Sequence, residues 1–154
     1  MSEALGAGSP LPDIVLEGTD GSASLDARRN GKPLIVAFYT EDATPLCSAE
    51  LNAFREDFEI IQELGAAMVA ISSDDPASHV AFSRAQQYPF PLLSDPDLKA
   101  AMAFGVVDET GKRSIRAIFV SDADGAIVET LPYYNPANGE QYQAVFAALG
   151  MDLG

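Results

Sequence analysis

The stretch "GKPLIVAFYT" (31–40) runs apolar without alternation and is bounded by Gly-Lys-Pro. A strand that reads this way is buried on both faces, as in a sheet covered on each side by helices. The next segment, "TPLCSAELNAFREDFEIIQELG", places Cys47, Leu51, Phe54, Phe58 and Ile61 at spacings of four, three, four and three, one face of a helix. Thr44 is its expected N-cap, Pro45 its first helical residue and Gly65 its stop. "AAMVAIS" then reads as a second buried strand. Strand, helix and strand within this length predict a parallel βαβ unit.

The rest of the chain follows the same grammar. "DIVLEGTDGSASL" predicts a small hairpin near the amino terminus. In "SSDDPASHVAFSRAQQY", Asp75 is the expected cap and Pro76 the first residue of a helix, with Val80, Phe82 and Ala85 facing inward. "FPLLSD" is a short strand, and "PDLKAAMAFG" a short helix closed by Gly105. "SIRAIFVSDADGAIVETL" is a hairpin turning at Asp124-Gly125, and "GEQYQAVFAALG" is the last helix. No repeat or linker interrupts the pattern, so residues 1–154 are expected to form one α/β domain with a central mixed sheet and helices on both faces. A thioredoxin-like core is compatible with this order, and so are several other α/β topologies.

Composition narrows the function classes. The formal net charge is −14 over 154 residues, which opposes binding to phosphate backbones and anionic membranes. There is no apolar run long enough to span a bilayer, and no glycine-rich phosphate loop or basic stripe. No nucleic-acid or membrane partner is therefore expected. The opening "MSEALGAGSPLPD" lacks the basic and apolar regions of a secretory signal, so a cytoplasmic location is expected. Cysteine and histidine occur once each, which excludes an internal disulfide and leaves a zinc site only carboxylates for its remaining ligands. No metal or cofactor is expected.

The single cysteine, Cys47, falls at the third helical position, where the helix dipole and unpaired backbone N–H groups favour thiolate. It also continues an apolar face, which a purely structural cysteine would do. Thiolate alone does not make a fast enzyme. A free thiol of pKa ~8.5 is about 3% ionised at pH 7. A pKa of roughly 6 raises that about thirtyfold, and a Brønsted slope of ~0.45 takes back about thirteenfold in nucleophilicity. Groups that polarise the electrophile are needed as well. Thr44, three residues before the sulfur, is one candidate, or else a plain cap. Arg116, a guanidinium read inside the apolar run "SIRAIFV", is another, or else an edge arginine reaching solvent.

These residues carry a specific resemblance. The strings "GSPLPDIVLEGTDG", "GKPLIVAFYTEDATPLCSAELNAFRE", "AAMVAISSDDPASHVAFSRAQQYPFPLLSDPD" and "RAIFVSDADGAIV" together resemble a peroxiredoxin of the bacterioferritin-comigratory (Q-type) branch of the alkyl hydroperoxide reductase and thiol-specific antioxidant family. The resemblance implies a thioredoxin-like fold and a thiol peroxidase that reduces hydrogen peroxide and organic hydroperoxides. It implies that Cys47 is the peroxidatic cysteine, that Thr44 orients peroxide and thiolate, and that Arg116 is the family arginine. Glu50 matches a common acidic residue. The family motif begins with proline where this chain has Thr40, a departure within the pocket. Many Q-type members place a resolving cysteine five residues after the first; here that position is Asn52. One-cysteine behaviour follows, with the sulfenic acid reduced by an external thiol: thioredoxin, glutaredoxin or a small thiol. Both monomer and homodimer occur among such proteins. The rival reading is a redox-sensing or binding module of the same fold with little turnover; a thiol–disulfide carrier lacks the Cys-x-x-Cys pair it would need.

Other signals have simpler readings. His79 is expected at the surface or in packing rather than as a base for Cys47. Asp74 and Asp75 suit cap duty before Pro76, and Asp122-Ala-Asp124-Gly125 suits a turn rather than a calcium loop. Tyr133, Tyr134 and Pro136 mark a loop near either a substrate mouth or a dimer contact.

Overall fold

The computed structural model describes residues 4–151; the first three residues of the amino-terminal stretch lie outside it. The strands are β1 (Val15–Gly18), β2 (Gly21–Ser24), β3 (Leu34–Phe38), β4 (Ala67–Ser72), β5 (Leu92–Ser94), β6 (Ala117–Ser121) and β7 (Ile127–Pro132). They form one sheet in the order β2-β1-β5-β4-β3-β6-β7. β3 pairs parallel with β4, and β4 with β5, while β6 and β1 run antiparallel to their neighbours. The helices are α1 (Leu25–Arg29), α2 (Pro45–Glu56), α3 (Phe58–Glu63), α4 (Pro76–Gln86), α5 (Lys99–Phe104) and α6 (Gly139–Ala148). This is the expected mixed sheet with an amino-terminal hairpin.

The alternation of β3 explains why its sequence is apolar throughout. Leu34, Val36 and Phe38 enter one core with Leu25 of α1 and Phe104 of α5. Ile35, Ala37 and Tyr39 enter the other with Cys47, Leu51 and Phe54 of α2, Phe82 of α4 and Phe146 of α6. Helices on both faces leave neither side of the strand for solvent. A residue that follows β3 onto the α2 face is thereby delivered into the second core, and Cys47 is one of them.

Two expectations are corrected and one element is added. The helix read as continuous from Pro45 to Leu64 is two, α2 and α3, divided at Asp57 (φ −104°, ψ 14°). There Tyr142 of α6 shares its hydroxyl proton between the Ala53 carbonyl (2.9 Å) and the Asp57 carboxylate (2.6 Å). The helical bond from the Asp57 N–H to that same carbonyl is long, at 3.3 Å. A partner from another helix competes for the carbonyl, and the apolar periodicity carries no trace of it. In α4, Ala85 is exposed and Val80 only half-buried, while His79 is buried with Phe82. Polar partners waiting beneath the helix turn its face toward His79. Finally, α1 went unread; its start is marked by Ser24, whose hydroxyl accepts the Ala27 N–H.

Candidate active site

The loop 39–44 joins the end of β3 to α2 and carries the nucleophile to its place. Thr44 has the extended backbone of an N-cap and Pro45 opens the helix, so Cys47 is the third helical residue, as the sequence predicts. The Thr44 hydroxyl does not cap the helix. It donates to the Glu41 carbonyl at 3.3 Å instead. Having one proton, it serves that carbonyl or the sulfur by rotation, not both together.

Cys47 is fully buried. Its Sγ lies 3.1 Å from Thr40 Oγ1. Burial pushes the thiol pKa up, but hydrogen bonds outweigh it and leave the value below the ordinary thiol range. The Thr40 hydroxyl is the largest of the lowering contributions, followed by the Thr44 hydroxyl and the backbone of Glu41 and Thr40. Thr40, where the resemblance implies proline, thus meets the sulfur directly through a group proline lacks.

Arg116 lies immediately before β6 rather than inside a strand. The register of β3 against β6 pairs Phe38 with Ala117, so continuing the antiparallel count by one sets Arg116 opposite Tyr39, at the root of the cysteine loop. Strand geometry therefore closes a separation of some seventy positions. Arg116 and Thr40 line one cleft of about 290 Å³ together with Ile115, Tyr133 and Tyr134. Tyr133 is 77% exposed at its rim, with a left-handed backbone (φ 55°). Larger hollows exist beside Arg28 and Phe58 and beside Met102 and Gly111; Cys47 lines none of the three, and Thr40 is what connects its sulfur to the cleft of Arg116.

Glu50, one helical turn beyond Cys47, is buried, and neither carboxyl oxygen has a hydrogen-bond partner among the described residues. Arg116 Nε stands 3.8 Å from Oε1 without a hydrogen bond. Burial, and then the nearby Cys47, push the Glu50 carboxyl well above the usual carboxylate range, against a weaker opposing pull from Arg116. An ion pair at this distance does not repay the desolvation of a carboxylate. Burial thus disfavours the charged form of Glu50, and neither of its oxygens accepts a hydrogen bond from Arg116.

A polar network underpins the same loop, and sequence reasoning missed it. The Asp42 carboxylate accepts from the Tyr39 hydroxyl (2.6 Å), the Ser78 hydroxyl (2.7 Å) and His79 Nδ1 (2.8 Å). His79 is buried rather than at the surface, and it points at Asp42, not at the cysteine. Burial tends to raise the Asp42 carboxyl, and the bonds from His79, Tyr39 and Ser78 more than reverse it, holding it below the usual range. Asp75 caps α4 as expected, but Asp74 accepts from the Asp42 N–H (2.8 Å) and the Ser72 hydroxyl (2.6 Å). Asp42, Asp74 and His79 come close enough to resemble a metal cage. The Asp42 oxygens, Asp74 Oδ2 and both nitrogens of His79 already take part in hydrogen bonds, which a metal ion would have to displace. The one signal available in the sequence was a lone histidine three residues before Phe82 on an otherwise apolar helix face.

At the position of a Q-type resolving cysteine, Asn52 accepts the Tyr88 hydroxyl at 2.6 Å.

Comparisons with known proteins agree with this arrangement. The model of the AhpC/TSA family matches residues 7–130. A chloroplastic peroxiredoxin Q of Populus jackii is 37% identical over 136 residues, covering 88% of this chain and 63% of its own length. A putative chloroplastic peroxiredoxin Q of Oryza sativa subsp. indica is also 37% identical, with 78% of this chain and 56% of its own length covered. The chain thus spans less than two thirds of these curated relatives. Among solved structures, peroxiredoxin Q of Xanthomonas campestris superposes with a TM-score of 0.82 at 30% identity, covering 94% of this chain and 96% of that one. Peroxidoxin BcpB of Mycobacterium tuberculosis gives 0.86 at 26% identity, covering 95% and 97%. The mixed sheet with flanking helices is thus a thioredoxin-like peroxiredoxin fold.

Proposed function

This chain belongs to the AhpC/TSA family, and on that premise we propose that it is a one-cysteine thiol peroxidase. The observation that carries the reading is that Thr40, hydrogen-bonded to the acidified Cys47, lines the same cleft as Arg116, whose guanidinium makes no hydrogen bond to the buried Glu50. The substrates are hydrogen peroxide and organic hydroperoxides. Cys47 is the nucleophile, Arg116 and Thr44 hold the peroxide, and Thr40 and Glu50 shape the pocket. Both cores abut one sheet, which supports treating residues 1–154 as a single domain.

The Cys47 thiolate attacks the terminal oxygen of ROOH. An S–O bond forms as the O–O bond breaks, sulfur loses two electrons, and the departing RO⁻ takes a proton from solvent to leave as water or alcohol. Cys47 is left as a sulfenic acid. Negative charge moves onto the departing oxygen in that step, and a fixed guanidinium stabilises it there more than in the ground state. This is the contribution that a lowered thiol pKa cannot supply. Thr40 both touches the sulfur and lines the cleft, so rotation about its χ1 admits a small peroxide to an otherwise covered atom.

Regeneration needs an external thiol. Its thiolate attacks the Cys47 sulfur, water leaves, and a second thiol resolves the mixed disulfide to return the Cys47 thiol. The donor is a small thiol or a thioredoxin- or glutaredoxin-type protein. The requirement for a reduced thiol pool supports a cytoplasmic setting. Thiol-dependent consumption of hydrogen peroxide tests the reading: Cys47→Ser is expected to abolish it, and full activity in that variant would end the assignment.

A further inference from the structure

The loop that holds Thr40 and Thr44 is conformationally costly. Ala43 has φ 63°, in the left-handed region, which a non-glycine residue adopts only where surrounding contacts over-determine it. The loop is also solvent-facing at Glu41 and Ala43, so the apolar core does little to hold it there. One residue between them, Asp42, supplies the restraint. Its carboxylate is tied to the end of β3 through Tyr39 and to the first turns of α4 through Ser78 and His79, and its N–H is tied to Asp74 after β4.

His79 is the fixed point of this set. Its Nε2 donates to the Leu93 carbonyl of β5 at 3.0 Å, and its Nδ1 faces an ionised carboxylate. The ring bridges the rigid sheet to the loop through a buried hydrogen bond at each nitrogen. Among the described residues, no hydrogen bond joins His79 to Cys47. The peroxide chemistry above makes no use of it.

We infer that His79 is a positioning residue, whose Nδ1 bond to Asp42 clamps the 40–44 loop so that its hydroxyls and backbone meet the Cys47 sulfur. The inference rests on the proposed role of Cys47 and adds to it a device three residues inside α4.

The two arms of the ring can be separated by side chains that each keep one of them. His79→Asn places an amide N–H where Nδ1 stood, keeping the bond to Asp42 and losing Leu93. His79→Gln reaches Leu93 and releases Asp42. Both cost stability, which urea unfolding measures. A merely structural role makes the two variants alike in reactivity. The clamp makes them differ: oxidation of Cys47 by hydrogen peroxide stays within about twofold of wild type in His79→Asn. It falls by about tenfold or more in His79→Gln, as misplacement of a reacting group does. The thiol pKa, read from the pH dependence of iodoacetamide alkylation, rises in His79→Gln alone. Asp42→Ala cuts the same clamp from the loop side, at a stability cost of its own because Tyr39, Ser78 and His79 lose their acceptor, and is expected to behave like His79→Gln, so the question is settled even where a histidine variant does not fold. Equal slowing of the two His79 variants, or wild-type oxidation rate and thiol pKa in His79→Gln or Asp42→Ala, overturns the inference. If wild type itself reacts with peroxide no faster than free thiolate, the peroxidase reading falls, while the alkylation comparison still judges the clamp.

Discussion

Thr40 stands where the resemblance implies proline, and its hydroxyl lies 3.1 Å from the Cys47 sulfur. A hydrogen bond to a thiolate favours the charged form, so removing it moves the thiol pKa upward. Thr40→Val keeps the shape and loses the donor. The expected result is an alkylation–pH profile displaced to higher pH, with the fraction of reactive thiolate at neutral pH reduced and the limiting reactivity at high pH undiminished. A profile that does not move, or that moves down, would show that the hydroxyl accepts from the thiol rather than donating to it. Cys47 was legible as a candidate nucleophile from its place at the third helical position, a structural role standing equally open there, and the family resemblance decided between them. The contribution of Thr40 was not, because a lone threonine seven residues upstream has no periodic relation to the helix and meets the sulfur only through the fold of the loop.

At the scale of elements, α2 and α3 show how tertiary contacts override local pattern. The stripe from Cys47 to Ile61 fits one helix, and burial still follows it, yet the backbone breaks at Asp57 where Tyr142 of α6 takes up the Ala53 carbonyl. The tyrosine ring also packs on Phe54 with centroids 5.0 Å apart. Tyr142→Phe retains that packing and removes the shared proton. The expected loss is about 1 kcal/mol in urea unfolding, the usual worth of a hydrogen bond, somewhat more where a carboxylate accepts it. The accompanying structural change is a tighter helical bond from the Asp57 N–H to Ala53. A variant as stable as wild type, with the break unchanged, would mean that Asp57 ends α2 unaided. Caps, stops and buried strands were readable because they are local and chemically specific. The break, the inward turn of His79 and the short α1 were not, since each depends on a partner brought from elsewhere in the chain.

The whole molecule supplies what no segment contains. Cys47 enters the α2-side core because β3 leads into it, and Arg116 reaches the same place because β6 lies antiparallel to β3 in the Phe38–Ala117 register. The sequence motifs marked both residues, but only the sheet order joins them, and the buried Glu50 lies near both without a hydrogen bond to Arg116. Arg116→Met removes the guanidinium and keeps an apolar stem in its place, and urea unfolding of the variant reads any cost to stability separately from its chemistry. The direct test is rapid-mixing oxidation of Cys47 by hydrogen peroxide, with rates expressed per thiolate. The wild-type protein is expected to exceed free cysteine thiolate by orders of magnitude, and Arg116→Met to lose about a hundredfold or more, the scale of removing one preorganised donor to a developing charge. A per-thiolate rate in Arg116→Met within a factor of about two of wild type would contradict the shared site.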